Sequence, residues 1–270
     1  MTIDLNRLLW QERAAGDATR PWESLGTEPP GIHEEPSAAG LWLRPPGGVD
    51  DRVLLAVHGG CFVSGSIATH RRMFGHLALA SGTTTLVVEY GLVPEHVYPA
   101  QLDQVDGVYR SLAGRRVALV GDSCGGTLAL GVALRAAAAG WPPPAALVLF
   151  SPWVDLTVSA ASYDRGTDPF FTRDLTRGLA DAYLAGADRT DPAVDLTRAD
   201  LRGLPPTYVQ AGGDEALVDD ARLLARHSPA VQLEEFPGQL HTFQMGAGRS
   251  PVADDAIRKA GSWLRRTLGA

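Results

Sequence analysis

Residues 120–130 read VGDSCGGTLAL, which sets Ser123 between Gly121 and Gly125. The run VALV (117–120) before it suits a strand, and the small-residue run over 125–139 suits a helix, so GDSCG is the joint between them. A joint this tight forces its central residue into strained backbone, and the flanking glycines carry no Cβ to collide across the bend. The strain lifts the Ser123 hydroxyl above the sheet, at the positive end of the following helix. A serine hydroxyl attacks an acyl carbonyl only when a base takes its proton, and the base needs an acid to orient it. On such an elbow the chain order runs Ser, acid, His, each in a loop past the carboxyl end of a strand. Asp214 follows TYVQAGG, and His241 follows VQLEEF and the turn PGQL, in that order. The expected triad is therefore Ser123, Asp214 and His241.

Competing residues have blander readings. Asp219 and Asp220 lie inside the helix-like ALVDDARLLAR, where solvent-facing charge is expected, and Glu215 beside Asp214 should point elsewhere. Of the seven histidines only His241 follows the last strand. His227 falls in a helix–strand loop, and His70, His76 and His96 read as surface or packing residues. The tetrahedral oxyanion needs pre-aimed donors. One is expected from the backbone N–H of Cys124, the residue after the nucleophile. Others are expected from the glycine-rich loop His58-Gly59-Gly60-Cys61, directly after the apolar run 53–57. Phe62, Val63, Trp153, Phe170, Phe171 and Phe243 are the expected walls of a substrate pocket.

The elements that must hold these residues alternate. Strands are expected at 40–44, 53–57, 84–89, 117–120, 146–150, 207–211 and 231–236, several of them apolar nearly throughout. Helices are expected at 70–80, 99–112, 125–139, 216–226 and 252–268. This pattern predicts a mostly parallel sheet with helices on both faces, in one domain spanning residues 1–270. Two stretches fall outside it. Residues 1–30 read as a helix near 4–15 and a proline-bearing loop. Residues 151–206, with a helix near 173–184, are far longer than one crossover needs and are expected to cover the site.

Composition narrows the function classes. The net charge of −7 is dispersed and no basic stripe appears, so no nucleic-acid partner is expected. The two cysteines, Cys61 and Cys124, make neither a disulfide framework nor a zinc spacing, and no metal or cofactor is expected. No apolar run is long enough for a membrane span, and the start MTIDLNRLLWQERAAGD lacks a signal-peptide core, so a cytoplasmic location is expected. If the donor loop is as described, both thiols flank one small cavity. They are expected to be small buried apolar groups, with oxidation-sensitive activity as the sharper alternative.

Together these residues resemble the bacterial hormone-sensitive-lipase-like esterases of the α/β-hydrolase superfamily. The likeness runs from about residue 41 to the end. It rests on HGGCFVSGS against H-G-G-G-F/W, GDSCGG against G-D-S-A-G-G, and DEALVDD against D-x-L-x-D-D/E, with LVPEHVYPA, SPWVDLT and GQLHTF as further similar segments. The resemblance implies an α/β-hydrolase fold with a small helical cap, hydrolysis of short-chain carboxylic esters, no cofactor and a homodimer. It assigns Ser123, Asp214 and His241 as the triad and oxyanion donors to Gly60, Cys61 and Cys124, with Gly59 shaping the turn. Three departures stand out. Cys61 replaces the third loop glycine, so φ > 0 there would be costly. Gly91 replaces an arginine, and the short N-terminal region leaves less cap and a more open acyl pocket. An amidase, lactonase or acyltransferase would share this machinery, and a non-catalytic small-molecule-binding homologue would share the fold.

Overall fold

The computed structural model describes residues 4–269 except 190, 192, 193 and 197. Those four, and residues 1–3 of the expected cap segments, lie outside the described residues. Eight strands form one sheet: β1 His33–Ser37, β2 Gly40–Arg44, β3 Val49–Val57, β4 Thr83–Val88, β5 Arg116–Asp122, β6 Ala146–Phe150, β7 Thr207–Gly212 and β8 Val231–Phe236. Their spatial order is β1-β2-β4-β3-β5-β6-β7-β8. β2 runs antiparallel to both β1 and β4, and every pair from β4 to β8 is parallel.

The central strands are apolar on both faces because both faces are covered. Val53–Val57, Ala118–Val120 and Ala146–Phe150 are buried throughout. The covering helices are α1 Leu5–Ala14, α2 Ile67–Ser81, α3 Ala100–Ser111, α4 Cys124–Ala139, α5 Arg173–Leu184, α6 Val218–His227 and α7 Pro251–Leu268. Their ends follow from local chemistry. Ser66, Thr172 and Ser250 cap α2, α5 and α7 with their hydroxyls, while Gly82, Gly140 and Gly269 close α2, α4 and α7 in the left-handed conformation.

β1 is the one strand the apolar pattern does not announce. HEEPS is exposed at every position and pairs only with β2, so its charges and proline sit on an outer edge where they block further pairing. Asp220 also departs from expectation. It lies in the first turn of α6 yet is buried, and its carboxylate accepts from the backbone N–H groups of Val154 and Asp155 at 2.7 and 2.9 Å. It ties the start of the long 151–206 segment to α6 rather than facing solvent. No helix among the described residues is long and apolar enough to cross a membrane.

Candidate active site

Ser123 sits at the joint of β5 and α4 with φ +52° and ψ −124°, a strained conformation for a residue with a side chain. The glycines around it are required by close backbone approach. A Cβ on Gly121 would collide with the carbonyl of Gly125, and one on Gly125 would collide with the carbonyl of Val57. The elbow therefore closes only with glycine at both positions, and the bend is pinned by Ser123 N–H donating to the Phe150 carbonyl at 2.9 Å.

His241, in the loop after β8, places Nε2 2.9 Å from Ser123 Oγ. Its Nδ1 faces the Glu215 carboxylate at 3.2 Å, and all three side chains are buried. The carboxylate that meets His241 is thus that of Glu215, not the expected Asp214. Two loops packed backbone to backbone decide this. Gly213 N–H donates to the Phe236 carbonyl and Asp214 N–H to the Gln239 carbonyl, at 2.8 and 3.0 Å. That registration turns the Asp214 side chain outward, where it is 37 % exposed and pairs with Arg7 at 3.2 Å, and the next side chain, Glu215, turns inward to the imidazole. The signal was present in the sequence: the spacing D-x-L-x-D-D, read back from Asp219 and Asp220, begins at residue 215 in EALVDD. Burial pushes the Glu215 carboxyl above the usual range, His241 and then Ser151 pull it down, and Asp168 pushes it up.

The loop after β3 approaches the elbow from the other side. Gly60 and Cys61 line the same cavity as Ser123. Gly59 does not supply a free donor, because its N–H donates to Asp122 Oδ1 at 3.0 Å. Cys61 and Phe62 both take φ > 0, at +56° and +63°. The strain expected of a side chain at position 61 is therefore present. The adjacent Phe62 N–H donates to Cys124 Sγ at 3.2 Å, which links the loop to the elbow. Both thiols are buried. Burial raises the Cys61 pKa well above the ordinary thiol value and that of Cys124 to about 12, which disfavours the thiolate at both, although Cys61 borders the cavity.

A cavity of about 450 Å³ opens over Ser123 and His241. Val63, Phe170 and Phe171 line it as expected. Phe62, Trp153 and Phe243 do not. Phe62 stacks on Tyr183 with ring centroids 3.5 Å apart, Trp153 packs behind it, and Phe243 packs on Phe236, so all three are core. Trp10, Trp22 and Leu179 take their places in the wall. Asp168 braces this wall, with its carboxylate accepting from the N–H groups of Phe170, Phe171 and Ala216. Trp10 and Trp22 were invisible to pattern reading because they are distant in sequence from every motif. His70, expected at the surface or in packing, is fully buried beside the cavity, with Nε2 3.2 Å from Asp122 Oδ2.

Comparison with known proteins agrees with this architecture. A family model described as the α/β-hydrolase fold matches residues 54–245. The chain is 35% identical to an acetyl-hydrolase of Streptomyces hygroscopicus, over 93% of this chain and 88% of that one. It is 32% identical to an esterase of Acinetobacter venetianus, over 76% and 72% of the two chains. Among solved structures, an esterase from the bacterial hormone-sensitive lipase family superposes with a TM-score of 0.90 at 32% identity, covering 98% of each chain. A hormone-sensitive lipase from a metagenome library superposes with a TM-score of 0.89 at 30% identity, covering 97% of each. With the elbow, the parallel sheet and these likenesses in agreement, the chain belongs to the α/β-hydrolase fold family, among the hormone-sensitive-lipase-like esterases.

Proposed function

We propose that this protein is a serine carboxylesterase acting on short-chain acyl esters through Ser123, His241 and Glu215. The observation that carries the reading is a single buried imidazole bonded to a serine hydroxyl on one nitrogen and facing a carboxylate on the other. His241 Nε2 takes the proton of Ser123 as Oγ bonds to the ester carbonyl carbon. Glu215 holds the Nδ1–H tautomer and stabilises the imidazolium. The oxyanion is held by the N–H groups of Gly60, Cys61 and Cys124. Cys124 opens α4, whose first N–H groups have no acceptor within the helix. Collapse returns the proton to the leaving alkoxide, releases the alcohol and leaves an acyl-Ser123 ester. Water, deprotonated by His241, then releases the acid and restores the serine.

The cavity supports an apolar, modest acyl or alcohol group, with Trp10, Trp22, Phe170, Phe171 and Leu179 around it. In this reading α1 and the 151–206 segment are the cap. The test is hydrolysis of p-nitrophenyl esters from acetate to palmitate, with matched p-nitroanilides, by wild type and Ser123→Ala. Ester turnover that falls with chain length and vanishes in the variant is the expected result. Turnover of the anilides in preference to the esters, or turnover that survives in Ser123→Ala, would overturn it.

A further inference from the structure

Helix α1 reaches across the molecule to the loop that carries His241. Asn6 Nδ2 and Trp10 Nε1 both donate to the His241 carbonyl oxygen, at 3.1 and 2.8 Å. The two donors stand four residues apart, on one face of α1, and both are buried. Arg7, between them, donates to Asp214 Oδ2 at 3.2 Å and to the Gly238 carbonyl at 2.8 Å. Three side chains of one helix thus land on the two loops that present Glu215 and His241.

The carbonyl they hold is not at rest in an ordinary turn. The next residue, Thr242, has φ +51° and ψ +36°, the left-handed region, where a β-branched residue is a true outlier. Such a strained residue persists only where its surroundings over-determine it. The surroundings here grip the peptide at both ends. Its oxygen is held by Asn6 and Trp10, and its N–H donates to Ser151 Oγ at 3.1 Å. Relaxation of Thr242 would rotate that peptide and carry the imidazole with it.

We infer that Asn6 and Trp10 are positioning residues for His241, holding the strained 241–242 peptide in the shape that aims Nε2 at Ser123. The inference rests on the triad reading above. It also gives Trp10 two tasks. Its indole N–H supports the His241 loop, while its ring lies 5.3 and 5.1 Å from Phe170 and Phe171 in the cavity wall, and 5.8 Å from the His241 ring. An isolated helix of 10 residues is marginal in water, so α1 is ordered by this docking as much as it orders the loop.

Trp10→Phe keeps an apolar ring but loses the donor together with part of the ring that lines the cavity. Asn6→Ala removes the other donor, and Asn6→Gln keeps one on a longer arm. Because a misplacement of about 1 Å can cost about 10²-fold in rate, the double variant Asn6→Ala/Trp10→Phe is expected to lose about tenfold to a hundredfold in kcat. Asn6→Ala alone, which leaves the cavity wall intact, should lower kcat while its KM on p-nitrophenyl butyrate stays within about twofold, and Asn6→Gln should recover part of the loss. In ¹⁵N-histidine-labelled protein, the His241 imidazole signals, assigned by their loss in His241→Ala, should be sharp in the wild type and broadened in the double variant. Unchanged kcat and unchanged His241 signals in folded variants, whatever happens to melting temperature, would overturn the inference. A wild type with sharp His241 signals and no ester turnover would instead overturn the esterase reading while the positioning contact stood. If the double variant does not fold, the single variants carry the same readouts.

Discussion

The Glu215 carboxylate works from a fully buried position, where desolvation penalises its charge and His241 restores it. Removing that charge should leave the imidazolium without support as Ser123 attacks. Glu215→Gln is expected to lower kcat by about 10²–10⁴-fold on p-nitrophenyl butyrate, in line with loss of a triad acid elsewhere. Asp214→Asn, on the solvent side of the same loop, should stay within about threefold. Sign and cause also fix the pH behaviour. A carboxyl raised by burial takes up its proton at a higher pH, as pH falls, than an exposed one would, so support for the imidazolium is lost earlier on the acid side. The acid limb of kcat/KM should therefore depend on Glu215, and Asp214→Asn should leave that limb in place. An acid limb that moves with Asp214→Asn would return the role to Asp214. Which of two adjacent acids faced inward was not legible from loop position alone. It was decided by the pairing of Gly213 and Asp214 with the neighbouring loop, a contact between segments far apart in sequence.

Elements with an apolar pattern on one or both faces were legible, β2, β8, α6 and α7 among them, and the strand exposed on both faces was not. Val53–Val57 and Ala146–Phe150 read as strands because both faces are apolar, and the small residues of α4 read as a helix packed closely on the sheet. β1 escaped because an exposed edge strand carries no apolar pattern. Asp220 escaped for the opposite reason. Its place in a charged helix suggested solvent, but the start of the 151–206 segment supplies two N–H donors, both to Asp220 Oδ2. Asp220→Ala would leave both N–H groups buried without an acceptor. Each costs about 1–3 kcal/mol, so unfolding free energy should fall by at least about 2 kcal/mol in urea titration. Asp220→Asn keeps an acceptor oxygen and avoids the buried charge, so it should lose clearly less. Equal losses from the two variants would show that volume, not hydrogen bonding, sets the role of this residue.

At the scale of the whole molecule, the sheet fixes the triad and segments outside the alternating core fix the space above it. The cavity of about 450 Å³ takes Trp10 and Trp22 from the N-terminal region, Val63 from the loop after β3, and Phe170, Phe171, Leu175 and Leu179 from the segment between β6 and β7. Two of these touch His241, Trp10 at its carbonyl oxygen and Phe171 against its ring at 4.6 Å, while Trp22, Val63, Leu175 and Leu179 make no hydrogen bond or ring contact with Ser123, His241 or Glu215 among the described residues. Chain-length tolerance should therefore be separable from chemistry. Leu179 lies on α5, half-buried, in the cavity wall. Leu179→Trp is expected to fill part of the cavity. Turnover of the longest accepted p-nitrophenyl ester should fall by about tenfold or more, the scale expected for losing a few methylene contacts, and acetate should stay within about threefold. A uniform loss across all chain lengths would mean that the wall and the triad are mechanically one unit, and that the segment between β6 and β7 acts on catalysis and not only on substrate size.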